Sequence, residues 1–468
     1  TPAPWDNNTK REVRSLYGSL SLNYAGSFNV DITGRNDWSS TLPEENRSYF
    51  YPSVSSAFVF TDAFGIQSGM VSSGKIRAGW TRVGNDADPY QLAAVYNSGQ
   101  AYVTSPLFSV PNQLPNSSLL PEETTAWEIG TDLGFFDERM GFVLTYYSRN
   151  TVNQILPVQI SRATGFTQQM LNAGAVRNRG LELLFKANPI RTTDFSWDVT
   201  VNWSKNSSLV TELYGDLETL VLGSYWSLNI EARAGEPYGV MFGNGYLRCS
   251  TTDTQYDAIC AGQDPETFIL SASGTLQADP ERMVLGNYNP DWIGGIQNRF
   301  SMGSFDLSVL IDGQRGGDIF SVTNWFGEYA GVLESSLRGR ENDWDDPGVL
   351  NIGLLPDGTM NGSDGNDVRV QAESHFGGNW GKQESTIDDA TYVKLREIRL
   401  GYELPSRWIT WTGFNAANFA LIGRNLYLWT PNIDNIDPET AFDASNVQGI
   451  EFGQFPTARS FGFQLSLR

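Results

Sequence analysis

Residues 460–468 read Ser-Phe-Gly-Phe-Gln-Leu-Ser-Leu-Arg. Phe461, Phe463, Leu465 and Leu467 fall on one parity, and Ser460, Gly462, Gln464, Ser466 and Arg468 on the other. Successive side chains of a strand point to opposite faces, so this stretch has one apolar and one polar wall. The same alternation recurs upstream. Phe195, Trp197, Val199, Val201 and Trp203 alternate with Ser196, Asp198, Thr200, Asn202 and Ser204, and Phe305, Leu307, Val309 and Ile311 alternate with polar neighbours. Period-two segments are expected near 13–24, 28–37, 50–60, 74–84, 123–135, 140–153, 174–188, 195–208, 291–300, 305–318, 391–402, 414–429 and 457–468, about thirteen in all. Helical windows are scarce, so the fold is expected to be all-β.

The connections sort by length. Ala25–Ser27, Phe136–Arg139, Asn188–Asp194 and Ser301–Ser304 are tight, and 61–73 and 403–413 are of medium length. Between them lie long connections at 38–49, 85–122, 154–173, 209–290, 319–390 and 430–456. A soluble sandwich has no reason to gather every long loop at one end. A transmembrane antiparallel β-barrel of the outer membrane has short periplasmic turns and long extracellular loops, and its strands match a tilted bilayer span. Aromatics near segment ends, such as Tyr24, Trp38, Trp80, Trp127, Phe136 and Trp429, fit interfacial girdles. In Thr391–Tyr402 the apolar parity slips between Leu395 and Ile398. A β-bulge near Arg396-Glu397 would restore one lipid face, and a similar slip stands at Ile422–Leu426.

Composition narrows the function. Of 468 residues, 32 are Lys or Arg and 53 Asp or Glu, a net charge of −21 that argues against nucleic acid. Two cysteines and one histidine leave little for a zinc site or a histidine-based catalytic centre. No nucleophile, carboxylate pair or metal cluster emerges, so no catalytic residue is expected. Gly69–Lys75, GMVSSGK, nearly spells a phosphate-binding loop, but Ile76 follows it and the run enters a strand. His375, alone among the side chains, is expected at the surface. The strand count is odd, and an open sheet would leave orphaned edge groups in lipid, so further strands are expected outside residues 1–468.

Specific stretches then carry a resemblance. GKIRAGWTRVGN (74–85), LPEETTAWEIGTDLGFF (120–136), NAGAVRNRGLELLFKA (172–187), DFSWDVTVNWSKN (194–206), TYVKLREIRLGYELP (391–405) and GRNLYLWT (423–430) follow in order along the chain. Each is similar to a segment of the SusC-like TonB-dependent transporters. One departure is Arg468, where such barrels end on an aromatic residue. The resemblance implies that 1–468 is the C-terminal portion of a plugged barrel of about 22 strands. The plug and about nine strands would precede it, and 209–290, 319–390 and 430–456 would be extracellular. It further implies import of a large nutrient, an oligosaccharide or a peptide, across the outer membrane of Bacteroidetes-type bacteria. A SusD-like lipoprotein would cap the outer face, and TonB-ExbB-ExbD would act through the missing N-terminal part. Two rivals stay open: a secreted all-β carbohydrate-binding or carbohydrate-active protein, and a passive porin or adhesin.

Within this frame Cys249 and Cys260, in the longest loop of a chain that crosses the oxidising periplasm, are expected to form a local disulfide. Tyr225, Trp226, Tyr238, Trp325, Phe326, Tyr329 and Trp380 are the candidate contacts, either stacking on sugar rings or anchoring the lipoprotein. No cofactor is expected. Two acidic stretches, Asp343, Asp345, Asp346, Asp357, Asp364 and Asp367, and Asp434, Asp437 and Asp443, are candidates for a structural calcium, against a reading as solvated acidic loops. The lumen-parity charges Asp31, Arg35, Lys75, Arg77, Glu128, Asp132, Glu182, Lys186, Asp198, Asp306 and Asp312 are expected to pair with each other or with a plug.

Overall fold

The computed structural model describes residues 9–66, 68–99, 102–103, 105–340, 348–363, 365–409, 411, 413–440, 442 and 445–468. Its framework is one 13-stranded sheet in which every strand pairs with its sequence neighbour. The strands are β1 Val13–Tyr24, β2 Phe28–Ser39, β3 Ser48–Val59, β4 Val71–Asn85, β5 Glu122–Phe135, β6 Met140–Val152 and β7 Ala175–Arg191. They continue with β8 Phe195–Glu212, β9 Trp292–Met302, β10 Phe305–Arg315, β11 Tyr392–Glu403, β12 Ala417–Trp429 and β13 Ser460–Leu467. All thirteen expected segments are strands. Every pairing is antiparallel, from β1 with β2 through β12 with β13.

The apolar parity becomes continuous rows across the ladder. Leu20, Ile32, Val54, Trp80 and Trp127 are successive partners, and all five are exposed. Trp197, Phe300, Leu307, Leu400, Leu421 and Phe463 form another row, and Val201, Ile296, Ile311, Leu395 and Tyr427 a third. Among the described residues no second sheet covers these rows, which excludes the sandwich reading. An apolar wall left open to its surroundings is what hydrocarbon requires.

The opposite wall carries charges that pair with one another. Lys75 and Arg77 reach Asp132 at 2.6 and 3.3 Å, Arg77 also reaches Glu128 at 3.5 Å, and Arg396 reaches Asp312 at 2.7 Å. Arg399 pairs with Asp306. The bulge lies where the parity slips. Leu310 faces Glu397 and Ile311 faces Leu395, so Arg396 is the extra residue. It lets two consecutive charges, Arg396 and Glu397, both bond on the polar wall, to Asp312 and Arg424, while Leu395 and Ile398 keep the apolar one. The slip in β12 is accommodated at Asn425, whose φ is +51°.

Tight turns occupy one end. Ala25 and Gly26 both take positive φ, the geometry that two-residue hairpins favour. The GMVSSGK stretch enters β4 at Val71. A Cβ on Gly74 would fall 2.1 Å from the Phe60 ring, so that glycine admits an aromatic side chain rather than a phosphate. β8 runs to Glu212, four residues beyond its expected end, so the longest connection begins at 213 rather than 209.

The long connections fold on their own account. The one after β8 holds a four-stranded antiparallel sheet: Thr219–Tyr225, Leu228–Arg233, Val240–Gly243 and Met283–Asn287. In the next, Asp318–Ser321 pairs with Ile387–Asp389 and, in parallel, with Ile450–Glu451 from the last connection. Helix α1, Val322–Ala330, follows. Ser321 caps it through Asn324 N at 3.0 Å, and Gly331 ends it at φ +69°. The wholly buried Glu451 accepts from Ser321 Oγ at 2.9 Å, Thr323 N at 3.0 Å and Thr323 Oγ1 at 2.7 Å. An acid from one loop thus satisfies the N-terminus of a helix in another.

Candidate functional site

α1 places the candidate side chains. Val322, Trp325, Phe326 and Tyr329 stand at i, i+3, i+4 and i+7 and share one helical face, while Asn324 and Glu328 lie on another. Trp325 is buried and stacks on Trp380, centroids 4.2 Å apart and planes within 4°. Phe326 and Tyr329 meet the same Trp380 ring at 4.9 and 4.7 Å. Trp226 comes from the neighbouring connection, touching Trp325 at 6.0 Å and Phe326 at 5.4 Å. Its ring stacks on Phe452 at 4.9 Å. Tyr225 closes the group through Phe442 at 5.7 Å, and Phe442 meets Phe452 at 4.8 Å.

Six of the seven candidate aromatics therefore converge, contributed by two connections and joined by Phe442 and Phe452 from a third. Those two phenylalanines escaped the sequence reading because their connection was read only for its aspartates. Tyr238 lies apart. It packs on a separate cluster that includes Val158, Val176, Val210 and Leu220, and burial beside Glu122 pushes its hydroxyl up to about 12.

The cluster is buried at its base and open at its rim. Trp325 is 3% exposed, whereas Trp226 is 42% and Tyr329 56% exposed, which separates a structural tryptophan from aromatics available for contact. Trp226 also sits on the two-residue turn between Thr219–Tyr225 and Leu228–Arg233 with φ +41°, followed by Ser227 at +69°. A bulky side chain in the left-handed region carries a strain of about 1–2 kcal/mol. Strain of this kind gathers at contact sites, where the surroundings hold it.

The other candidate groups fall elsewhere. Cys249 and Cys260 are joined by a disulfide, 11 residues apart with Cα atoms 5.4 Å apart. Beside it Arg248 Nη1 donates to Glu384 Oε2 at 3.0 Å, tying the connection after β8 to the one after β10. His375 is a correction. It is buried, not at the surface, with its ring edge-on to Phe376 at 4.8 Å. Burial, with Arg338 and Lys382 nearby, pushes it down to about 4. Among the described residues no three His, Cys, Asp or Glu side chains converge as metal ligands. Asp343, Asp345, Asp346, Asp364 and Asp443 lie outside the described residues.

Asp437 has a different task. Lys394 Nζ, on β11, reaches Asp437 Oδ2 at 2.9 Å and Thr457 Oγ1 at 3.0 Å, and Lys394 and Asp437 are both almost wholly buried. Glu439 receives Arg396 at 2.6 Å and the Tyr392 hydroxyl at 2.7 Å. Burial opposes ionisation of Glu439, but these bonds outweigh it and hold the carboxyl at about 2. This network fastens the last long connection to the barrel wall.

Comparison with known proteins agrees with this architecture. Residues 1–274 match the family described as TonB dependent receptor-like, beta-barrel. TonB-dependent receptor P26 of Formosa agariphila is 26% identical over 97% of this chain and 46% of its own length. TonB-dependent receptor SusC of Bacteroides thetaiotaomicron is 24% identical over 98% of this chain and 44% of its own length. The chain thus spans about half the length of the curated relatives it matches. A solved structure of the RagAB peptide transporter superposes with a TM-score of 0.74 at 19% identity, covering 98% of this chain and 48% of that one, a likeness of fold. An apolar wall without a covering sheet, a polar wall of paired charges, short turns at one end and folded loops at the other agree with the family match: the chain belongs to the β-barrel family of TonB-dependent receptors, proteins of the outer membrane.

Proposed function

We propose that this chain supplies wall and extracellular loops to a TonB-dependent importer of a large nutrient, an oligosaccharide or a peptide. Cargo is captured at the outer face under a SusD-like lipoprotein, and TonB-ExbB-ExbD drives its release inward through a plug outside residues 1–468. The observation that carries this reading is the convergence of three long connections on one aromatic cluster with an open rim. Exposed Trp226, Phe326 and Tyr329 offer flat apolar faces with little rotamer entropy to lose, which suits either a sugar ring or a protein partner. The relatives named as TonB-dependent receptors support the coupling, and the fold shared with a peptide transporter supports the cargo size.

The test replaces Trp226, Phe326 and Tyr329 with alanine in the full-length protein in cells. Uptake of the native nutrient is expected to fall at least tenfold with unchanged barrel insertion. Co-purification of the lipoprotein distinguishes a lost partner from a lost cargo contact. Uptake that continues at full rate under a protonophore would overturn the reading in favour of a passive pore.

A further inference from the structure

The lipid-facing wall ends in a group of cations on three of its strands. On β7, Phe185, Leu183 and Leu181 face Val201, Trp203 and Lys205 of β8 on the apolar parity. Continuing outward on that parity, Arg179 faces Ser207 and Arg177 faces Leu209. On β10 the same parity runs Ile311, Gly313, Arg315, and Arg315 faces Trp292 of β9. Lys205, Arg179 and Arg315 are exposed, and Arg177 is half-buried.

Their height follows from the strands. Lys205 and Arg315 are each ten residues from the short-turn ends of β8 and β10, Phe195 and Phe305. At a rise of about 3.4 Å and a tilt of about 45°, ten residues climb roughly 24 Å, the full height of an apolar band about 25 Å tall. Ser207 lies two residues beyond Lys205, so Arg179 opposite it stands at roughly 29 Å. The cations therefore lie where the hydrocarbon ends and the headgroups of the outer leaflet begin, with Trp203 and Trp292 beside them.

The second observation is that these charges are unanswered. On the polar wall Lys75, Arg77, Arg396 and Arg399 each reach a carboxylate. Among the described residues the side chains of Arg177, Arg179, Lys205 and Arg315 have no ion-pair or hydrogen-bond partner. Glu123 shares the lipid parity two strands from Arg177, and it is paired with Arg82. Acids are plentiful on a chain of net charge −21, yet among the described residues no carboxylate pairs with this patch.

We propose that this patch binds the phosphorylated headgroup of an outer-leaflet lipid, whose acyl chains lie on Leu181, Leu183 and Trp203 beneath it. Arg179 and Lys205 are diagonal neighbours about 7–8 Å apart, a span that one phosphate bridges. The guanidinium offers a two-pronged contact and the ammonium a point charge. Their long stems lie along the apolar wall while the heads stay at headgroup level. Ser207 adds a hydroxyl beside Arg179, and Arg315, roughly 10 Å across the sheet from Lys205, extends the patch toward a second phosphate. The site continues the lipid-facing wall, so it rests on the barrel and not on the import reading.

The experiment is native mass spectrometry of the full-length protein in detergent, titrated with lipid A or with the same lipid A stripped of phosphate. The phosphorylated form is expected to bind at least tenfold tighter. Arg179→Gln with Lys205→Gln should erase that preference, whereas Arg179→Lys with Lys205→Arg, which keeps both charges, should retain most of it. Lys186→Gln, on the polar wall of the same strand β7, should leave it unchanged. Equal binding of the two lipids overturns the proposal, as does a preference that survives Arg179→Gln with Lys205→Gln. A loss as large in Lys186→Gln also overturns it, because the attraction would then belong to overall charge and not to this patch.

Discussion

Ile311 and Leu310 are adjacent on β10 and face opposite walls, so an arginine at each asks one question of the two surfaces. Ile311 lies between Ile296 and Leu395 in an apolar row, whereas Leu310 lies between Gln297 and Glu397 on the charged wall. Depth follows from geometry. Ile311 is six residues from Phe305 at the short-turn end. At a rise of about 3.4 Å and a tilt of about 45°, that is roughly 14 Å along the membrane normal, close to the middle of an apolar band about 25 Å tall. An arginine there costs about 2–4 kcal/mol. At Leu310 the guanidinium meets water and Glu397, which already binds Arg424 at 2.7 Å, so the expected cost is about 0–1 kcal/mol. The assay is denaturant titration of the full-length protein in short-chain phosphatidylcholine vesicles, Ile311→Arg against Leu310→Arg. A gap of about 2–3 kcal/mol is expected. Equal costs, or a larger one at Leu310, would refute the assignment of the walls and with it the reading of every strand.

Two further outcomes follow from buried charges in the loops. Lys394→Met leaves Asp437 buried without its cation, a loss of about 3–5 kcal/mol, so residues 430–456 should open to protease while the strands stay resistant; unaltered resistance would mean that the network is not the fastening. His375 titrates near 4 in the fold and near 6.5 when exposed, so its contribution is complete above pH 6.5 and is lost as pH falls through 4. On the order of 1–2 kcal/mol should leave the Ala372–Gly378 helix over that window, after solvent screening is allowed for. Amide exchange of that helix should show the acid sensitivity, and His375→Phe should remove it.

Strand positions were legible because each rests on two local facts, a parity and a turn. Even the bulge could be read, since Leu395 and Ile398 cannot share a wall without an extra residue between them. The loops were not legible to the same degree. Their sheets join segments far apart in sequence, as where Phe320 pairs with Ile450, and no local pattern announces a parallel pair of that span. α1 is the exception that was missed. Val322, Trp325, Phe326 and Tyr329 have helical spacing, with serine before and glycine after, and only a reading committed to period two passes over them. Composition could not place His375, because one histidine in a polar stretch gives no sign that its own helix packs Ala372 and Phe376 against Val349.

The location of the core explains why contact chemistry collects where it does. A sheet with lipid on one wall and water on the other has no interior to bury. Among the largest wholly buried side chains, Phe320, Leu119, Leu228, Ile230, Met241, Leu247, Ile269, Leu270, Leu354, Ile450 and Gln383 are in connections, and only Lys394 is on a barrel strand. The loops therefore need their own apolar centre to hold a shape, and α1 supplies it with one face while Asn324 and Glu328 lie on another. Its buried tryptophan and its exposed aromatics belong to the same stack. Substitution at the rim, at Trp226 or Tyr329, can then alter what is bound while Trp325 and Trp380 keep the loops folded. Substitution at the base cannot, because removing Trp325 leaves a large void, typically about 3–5 kcal/mol, beneath every contact above it. Specificity in this architecture is free to change only in the outermost layer of a cluster whose inner layer is fixed by packing.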